Sequence, residues 1–202
     1  MKRMTSQISN GVNQFNMLIV GTGGQGQITL LQILAEAALF EGYDVKTSEL
    51  HGLSQRGGSV EVHLRFGEKV YSPLVSQGKA DLILGLEMQE CLKACYFANS
   101  ETTFLINKYL IPVSSQKQIS EAEVLEILKK FTKNIKIISA IKICQKELGT
   151  NVVAGIYLLS LASFKKLIPL KQISILRAIK KIIPEKHLEL NLSAFNLGSK
   201  IF

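Results

Sequence analysis

The stretch FNMLIVGTGGQGQITLLQILAEAALF, residues 15–40, reads as strand, turn and helix in immediate succession. Phe15–Val20 is a short apolar run of strand length, and Gln27–Phe40 repeats its apolar residues at i, i+3 and i+4, the period of a helix lying on a sheet. Between them stands Gly21-Thr22-Gly23-Gly24-Gln25-Gly26, too rich in glycine to belong to either. Gly42 then falls where a helix C′ residue belongs, and Tyr43–Ser48 supplies a second strand, so the unit is β-α-β. Gly21, Gly23 and Gly26 match G-x-G-x-x-G, with an acid, Glu49, about twenty residues on. Such a turn lets the backbone approach a phosphate, and the helix behind it presents aligned N–H donors.

The same rhythm continues downstream. Ser59–Phe66 alternates, with Val60, Val62, Leu64 and Phe66 on one face and Glu61, His63 and Arg65 on the other, which predicts a half-exposed strand with Lys69–Ser72 as its hairpin partner. Ala80–Gly85 reads as a buried strand, Met88–Ala98 as a helix, Thr103–Asn107 as a strand and Glu121–Phe131 as a helix capped by Ser120. Ile135–Ser139 is the last strand, and helices follow over 141–148, 151–164, 171–182 and 186–197. Strands alternating with helices imply an α/β, three-layer Rossmann-like fold: a mostly parallel sheet with helices on both faces and a helical C-terminal segment. Ligands of such sheets bind outside the carboxyl ends of the strands. Residues 1–15, polar and rich in Asn, Gln and Ser, read as a disordered lead-in, and 16–200 as one domain.

A second polar stretch, Ser48-Glu-Leu-His-Gly-Leu-Ser-Gln-Arg-Gly-Gly58, is expected as a loop on that carboxyl edge. Glu49, His51, Ser54, Gln55 and Arg56 offer charge and hydrogen bonds that a linker does not need. A His beside a carboxylate is a proton-transfer pair, but Ser48 and Ser54 lack the Gly-x-Ser-x-Gly elbow of an activated nucleophile. Contact with a partner or an anion is the plainer use of these groups. Asn107, at the end of its strand, belongs to the same edge.

The bulk properties exclude several classes. Cys91, Cys95 and Cys144 show neither metal-knuckle nor iron–sulfur spacing, so no metal site and no cluster are expected on this chain. The absence of a long apolar span or a leader pattern argues for a cytoplasmic protein without membrane contact. Residues 1–112 carry 9 Lys/Arg against 10 Asp/Glu, and residues 113–202 carry 15 against 6, so the net +8 is C-terminal. Those lysines are scattered at helical spacing without an aromatic platform, which reads as solvated helix faces and not as a nucleic-acid surface.

Gly-x-Gly-Gly-Gln-Gly at 21–26, Gly42-Tyr-Asp-Val-Lys46 and Ser48-Glu-x-His-Gly-x-Ser-Gln-Arg-Gly-Gly58 together resemble the gamma-type domain of the 2-oxoacid:ferredoxin oxidoreductases. The likeness extends through Tyr71-Ser-Pro-Leu, Ala80-Asp81, Glu87, Asn107, Pro184-Glu-Lys186 and Asn191-Leu-Ser-Ala-Phe-Asn-Leu-Gly198, nearly the whole chain. Within the family the wording of 51–58 and the C-terminal ending are most similar to the beta subunit of the indolepyruvate (aryl-pyruvate) branch, with the gamma subunits for pyruvate, 2-oxoglutarate and 2-oxoisovalerate also close. The resemblance implies oxidative decarboxylation of a 2-oxo acid, with coenzyme A as co-substrate and ferredoxin as electron acceptor. It also implies that thiamine diphosphate and [4Fe-4S] clusters reside on a larger alpha subunit, with none bound firmly here. Gly21, Gly23, Gly24, Gln25 and Gly26, with Ser54, Gln55 and Asn107, are then expected to hold CoA or another polar ligand. His51 and Arg56 are expected to touch substrate or partner. A free-standing Rossmann-like dinucleotide-binding oxidoreductase is the alternative that the residues leave open.

Overall fold

The computed structural model describes residues 12–52, 57–111 and 119–201. Among them six strands form one sheet in the order β2-β3-β1-β4-β5-β6. The strands are β1 (Gln14–Thr22), β2 (Asp44–His51), β3 (Ser59–Gly67), β4 (Leu82–Gly85), β5 (Thr103–Asn107) and β6 (Ile135–Ile138). The helices are α1 (Gln27–Phe40), α2 (Met88–Ala94), α3 (Glu121–Leu128), α4 (Ala140–Leu148), α5 (Ala154–Phe164), α6 (Gln172–Ile182) and α7 (Glu185–Leu197). After α2 the chain tightens into a 3-10 turn over Cys95–Phe97, so the expected single helix 88–98 has two parts.

β1, β4, β5 and β6 run parallel. β3 is antiparallel to both β1 and β2 and lies between them. The β1-α1-β2 unit therefore skips one place, and β2 and β3 form the hairpin that the sequence reading had assigned to β3 and 69–72. Residues 69–72 form no strand; β3 already has a neighbour on each side, so no ladder is open to them. Ser48–His51 is likewise strand and not loop.

Side-chain alternation along β1 divides the core in two. Met17 and Ile19 join the cluster under α1, α4, α5, α6 and α7, whereas Leu18 and Val20 join the one under α2 and α3. Burial on both faces is what the near-continuous apolar strands encode. α5, apolar on all sides, is buried along Ile156–Ser163, between the sheet and the outer helix α7. α6 lies on α1, where Arg177 stacks over the Phe40 ring at 4.0 Å and Lys181 meets Glu36 at 2.6 Å. Two of the C-terminal cations thus serve packing.

β3 is not half-exposed as its alternation suggested. A strap over Val70–Val75 covers the polar face and leaves His63 only 1% exposed. His63 Nδ1 accepts the Val75 N–H at 3.1 Å, which places its proton on Nε2, facing Glu61 Oε1 at 3.0 Å. Arg65 donates through Nη1 to the carbonyls of Ser72 and Leu74, and Asp44 Oδ2 accepts from the Val70 N–H at 2.9 Å. The polar face of β2 and β3 thereby holds the strap's backbone and turns Tyr71 and Leu74 outward.

Candidate functional site

The register places both polar segments on one edge. Thr22, at the end of β1, pairs with Ser59, at the start of β3, and His51, at the end of β2, pairs with Val60. The glycine turn after β1 and the end of β2 and start of β3, at His51-Gly52 and Gly58-Ser59, consequently stand on one carboxyl edge, flanked by the ends of β4 and β5. The Gly23 N–H donates to the Gly58 carbonyl at 2.9 Å, and the Gly52 N–H to the Ser59 carbonyl at 2.8 Å. Ser54, Gln55 and Arg56 lie outside the described residues.

The glycine turn is braced from within. Gln25 Oε1 accepts the Thr22 N–H at 2.8 Å, and Gln27 Nε2 donates to the Thr22 carbonyl at 2.8 Å. Both amides crowd Gly21, where an added Cβ would lie 2.5 and 2.6 Å from them; a side chain at 21 would push these bracing amides aside. Gly24 and Gly26 hold φ of +94° and +84°, a region costly for residues with a Cβ. Gly26 is the α1 N-cap and brings no side chain, so no side-chain hydrogen bond closes the first turn of that helix.

Two hollows adjoin this N-terminus. One, of about 230 Å³, is bounded by Gly24, Gln25, Leu86, Asn107, Tyr109 and the start of α5. The other, of about 610 Å³, runs from Gln25, Gly26 and Thr29 toward His187 and Asn191, over an apolar floor that includes Leu30 and Ile156. Its volume is in the range of small-molecule sites. Gln32, the polar interruption in α1, is exposed and lines it.

Asn107 is 3% exposed, and its Nδ2 donates to the Leu86 carbonyl at 3.2 Å while its Oδ1 accepts the Ile141 N–H at 3.4 Å. The side chain joins the ends of β4 and β5 to the start of α4. His51 and Glu49 stand two apart on the exposed edge strand with Nε2 and Oε2 3.4 Å apart. They are an open pair, with no nucleophile among their described contacts.

Two carboxylates that sequence reasoning did not single out for chemistry complete the edge. Glu87, 2% exposed, caps α2 by accepting the Glu90 N–H at 2.8 Å and also accepts the Ile111 N–H at 3.3 Å. Burial raises its pKa, although those hydrogen bonds oppose the shift. Glu90, 8% exposed, accepts from the Ser59 hydroxyl and pairs with Lys93 at 2.8 Å. The only sequence signal was an acid just before a helix, spaced three from the next.

Residues 16–201 match the family described as pyruvate ferredoxin/flavodoxin oxidoreductase. The chain belongs to this family. It is 36% identical over 193 residues to the indolepyruvate oxidoreductase subunit IorB of Archaeoglobus fulgidus, covering 92% of this chain and 94% of that one. It is 34% identical to the Thermococcus kodakarensis subunit of the same name, covering 94% and 96%. The common gamma subunit of the pyruvate and ketoisovalerate oxidoreductases of Pyrococcus furiosus matches at 33% over 129 residues, 64% of this chain and 66% of that one. These relatives are subunits of 2-oxoacid oxidoreductases.

Solved structures share the fold. The gamma subunit of a keto/oxoacid ferredoxin oxidoreductase from Geobacter sulfurreducens superposes with a TM-score of 0.65 at 21% identity, over 91% of this chain and 95% of that one. A 2-oxoglutarate:ferredoxin oxidoreductase chain from Magnetococcus marinus superposes with a TM-score of 0.69 at 17% identity, over 93% of this chain but 31% of that one. The match takes up about a third of that longer chain.

Proposed function

We propose that this chain is the small subunit of an indolepyruvate (aryl-pyruvate) ferredoxin oxidoreductase. The observation that carries the reading is the match, nearly end to end and at 29–36% identity, to indolepyruvate oxidoreductase subunits of four organisms; the pyruvate and ketoisovalerate gamma subunits match over 129 residues in Pyrococcus furiosus and at 28% over 180 residues in Thermococcus kodakarensis. The reaction joins a 2-oxo acid and coenzyme A, releases carbon dioxide, forms an acyl-CoA and passes two electrons to ferredoxin. Thiamine diphosphate, carried with the iron–sulfur clusters by a larger alpha subunit, supplies the electron sink for decarboxylation. The compartment is the cytoplasm.

The share of this chain is recognition at its carboxyl edge. Arg56 binds the carboxylate of the oxo acid or of a partner residue as a two-pronged, charge-assisted pair, a geometry that Lys does not reproduce. His51, five positions before it, contacts substrate or partner. The glycine turn and the uncapped first turn of α1 take phosphate or other polar groups of CoA, with Gln25 and Asn107 shaping the hollow beside them; Ser54 and Gln55 contribute from the adjoining turn. Support comes from the register that sets the end of β1 beside the start of β3 and from the absence of a side-chain cap on α1.

The test is to co-express the tagged chain with the thiamine- and cysteine-rich subunit encoded by its source, purify the complex and assay indolepyruvate-dependent viologen reduction with CoA. Activity on aryl pyruvates above that on pyruvate and 2-oxoglutarate is expected, and a lone, inactive chain would overturn the reading. Arg56→Lys in the complex is expected to raise KM for the oxo acid at least tenfold (about 1.4 kcal/mol), and unchanged kinetics would remove Arg56 from the site. Micromolar NADH binding by the isolated chain, read by fluorescence, would instead favour a free-standing dinucleotide-binding protein.

A further inference from the structure

Three helices begin at the larger of the two hollows. Gly26, Val153 and Pro184, the N-caps of α1, α5 and α7, all line it, and none of the three helices has its first turn closed by a side-chain hydrogen bond. Each start leaves backbone N–H groups without an intrahelical acceptor and carries the partial positive charge of a helix N-terminus. No Asp or Glu stands among the lining residues, and Glu185, in the first turn of α7, is exposed and outside the lining. Leu30, Ile156, Ile183 and Leu190 give the hollow an apolar floor, and its volume of about 610 Å³ suits an organic molecule more than a bare ion.

Asn191, in the middle of α7, is 9% exposed and lines the same hollow. Its Nδ2 donates to the His187 carbonyl at 2.8 Å. A carbonyl accepts only from a donor, so the amide nitrogen is the end tied to the helix and Oδ1 is the free end. Among the described residues no donor meets Oδ1. A buried acceptor left open costs free energy unless something donates to it, and the apolar floor has nothing to give. Helix ends that attract an anion and an acceptor that needs a donor thus stand in one apolar chamber. A phosphate alone would leave the floor uncovered, and an amine would meet three positive helix ends.

We propose that this hollow binds a small carboxylic acid whose apolar body carries an N–H or O–H donor, an indole acid being a simple case. The carboxylate takes the N–H groups at the helix starts, the body lies on the floor, and the ring N–H donates to Asn191 Oδ1. Gln32, exposed and bordering the hollow, is close enough to the site for its charge to matter. The site is built from this chain alone, so the inference stands apart from the reaction proposed above and is tested without the partner subunit.

The chain contains no tryptophan, so the fluorescence of an indole ligand is read against a dark protein. The anisotropy of indole-3-acetate titrated with the full chain is expected to rise saturably, with Kd of about 100 µM. Indole-3-acetamide, which keeps the ring and loses the charge, is expected to bind about fivefold more weakly; Gln32→Glu should weaken the acetate about fivefold and leave the acetamide within about twofold. Asn191→Leu tests the donor. The preference of wild type for indole-3-acetate over 1-naphthaleneacetate, similar in shape but without an N–H, is expected to fall about fivefold in that variant. No saturable binding below about 5 mM, an acetamide as tight as the acetate, or a preference unchanged by Asn191→Leu would overturn the proposal. So would a Gln32→Glu chain that binds the acetate as wild type does. Should Asn191→Leu fail to fold, the comparison of acetate with acetamide on wild type and Gln32→Glu decides, and equal affinities would overturn the site.

Discussion

At the scale of single residues, the three thiols show how placement sets reactivity. Cys91 is fully enclosed and held well above its ordinary pKa by burial, with the nearby Glu87 and Cys95 adding to the shift, while burial pushes Cys95 and Cys144 up to about 11. Thiolate, not thiol, is the reactive form, so none of the three should react with iodoacetamide at pH 8 in the folded chain, and all three should in denaturant; mass spectrometry of the labelled protein checks both. The sign of the stability effect follows. A thiol whose pKa is raised on folding keeps its proton after the unfolded chain has lost its own, so stability is undiminished below about pH 9 and falls as pH climbs from 9 to 11. Urea denaturation across that range should show the decline, and replacing Cys144 with Ala should remove part of it. Asn107 and Gln25 teach the converse: polar residues recognisable from sequence as edge residues spend hydrogen bonds on holding strand ends and the glycine turn together.

At the scale of elements, local chemistry sets most boundaries. Ser120 accepts the Glu123 N–H at 3.2 Å while the Glu123 carboxylate takes the Ser120 N–H at 2.8 Å, a reciprocal cap legible from Ser-x-x-Glu alone. Ser120→Ala is expected to cost about 1 kcal/mol in chemical denaturation. The Val70–Val75 strap is of the opposite kind, since Val70 and Val75 bury its two ends but its polar anchors stand on other elements. Arg65 binds two of its carbonyls with one guanidinium nitrogen while Nε reaches Asn16 Oδ1 at 2.9 Å. Arg65→Ala should free the strap and expose new protease cleavage between 70 and 76, seen by limited proteolysis, and a cleavage pattern like that of wild type would show that His63 and Asp44 suffice.

At the scale of the whole molecule, the sheet is closed by helices on both faces, and the last of them seals the thicker side. Gly198 lies against Ser160 and Leu161 of α5 so closely that a methyl there would overlap the Ser160 side chain. Gly198→Ala should therefore pry the end of α7 from α5 and lower stability by about 1–3 kcal/mol, measured as a shift of the urea midpoint; no shift would mean that the chain end adapts freely. Among the described residues no helix is long and apolar enough to cross a membrane. The sequence by itself determined the order and extent of most elements, because helical period, strand runs, caps and glycine punctuation act between residues a few positions apart. It also determined the family, through the wording of the two polar stretches. Only the tertiary structure decided that β3 stands antiparallel between β1 and β2, although Gly57-Gly58 between two strands was an available hairpin signal. It alone decided that His63 is buried beneath a strap and that Ser59 meets Glu90. Pairings of that kind depend on which distant surfaces meet once the sheet has formed, and no local period in the chain records a partner 31 positions away.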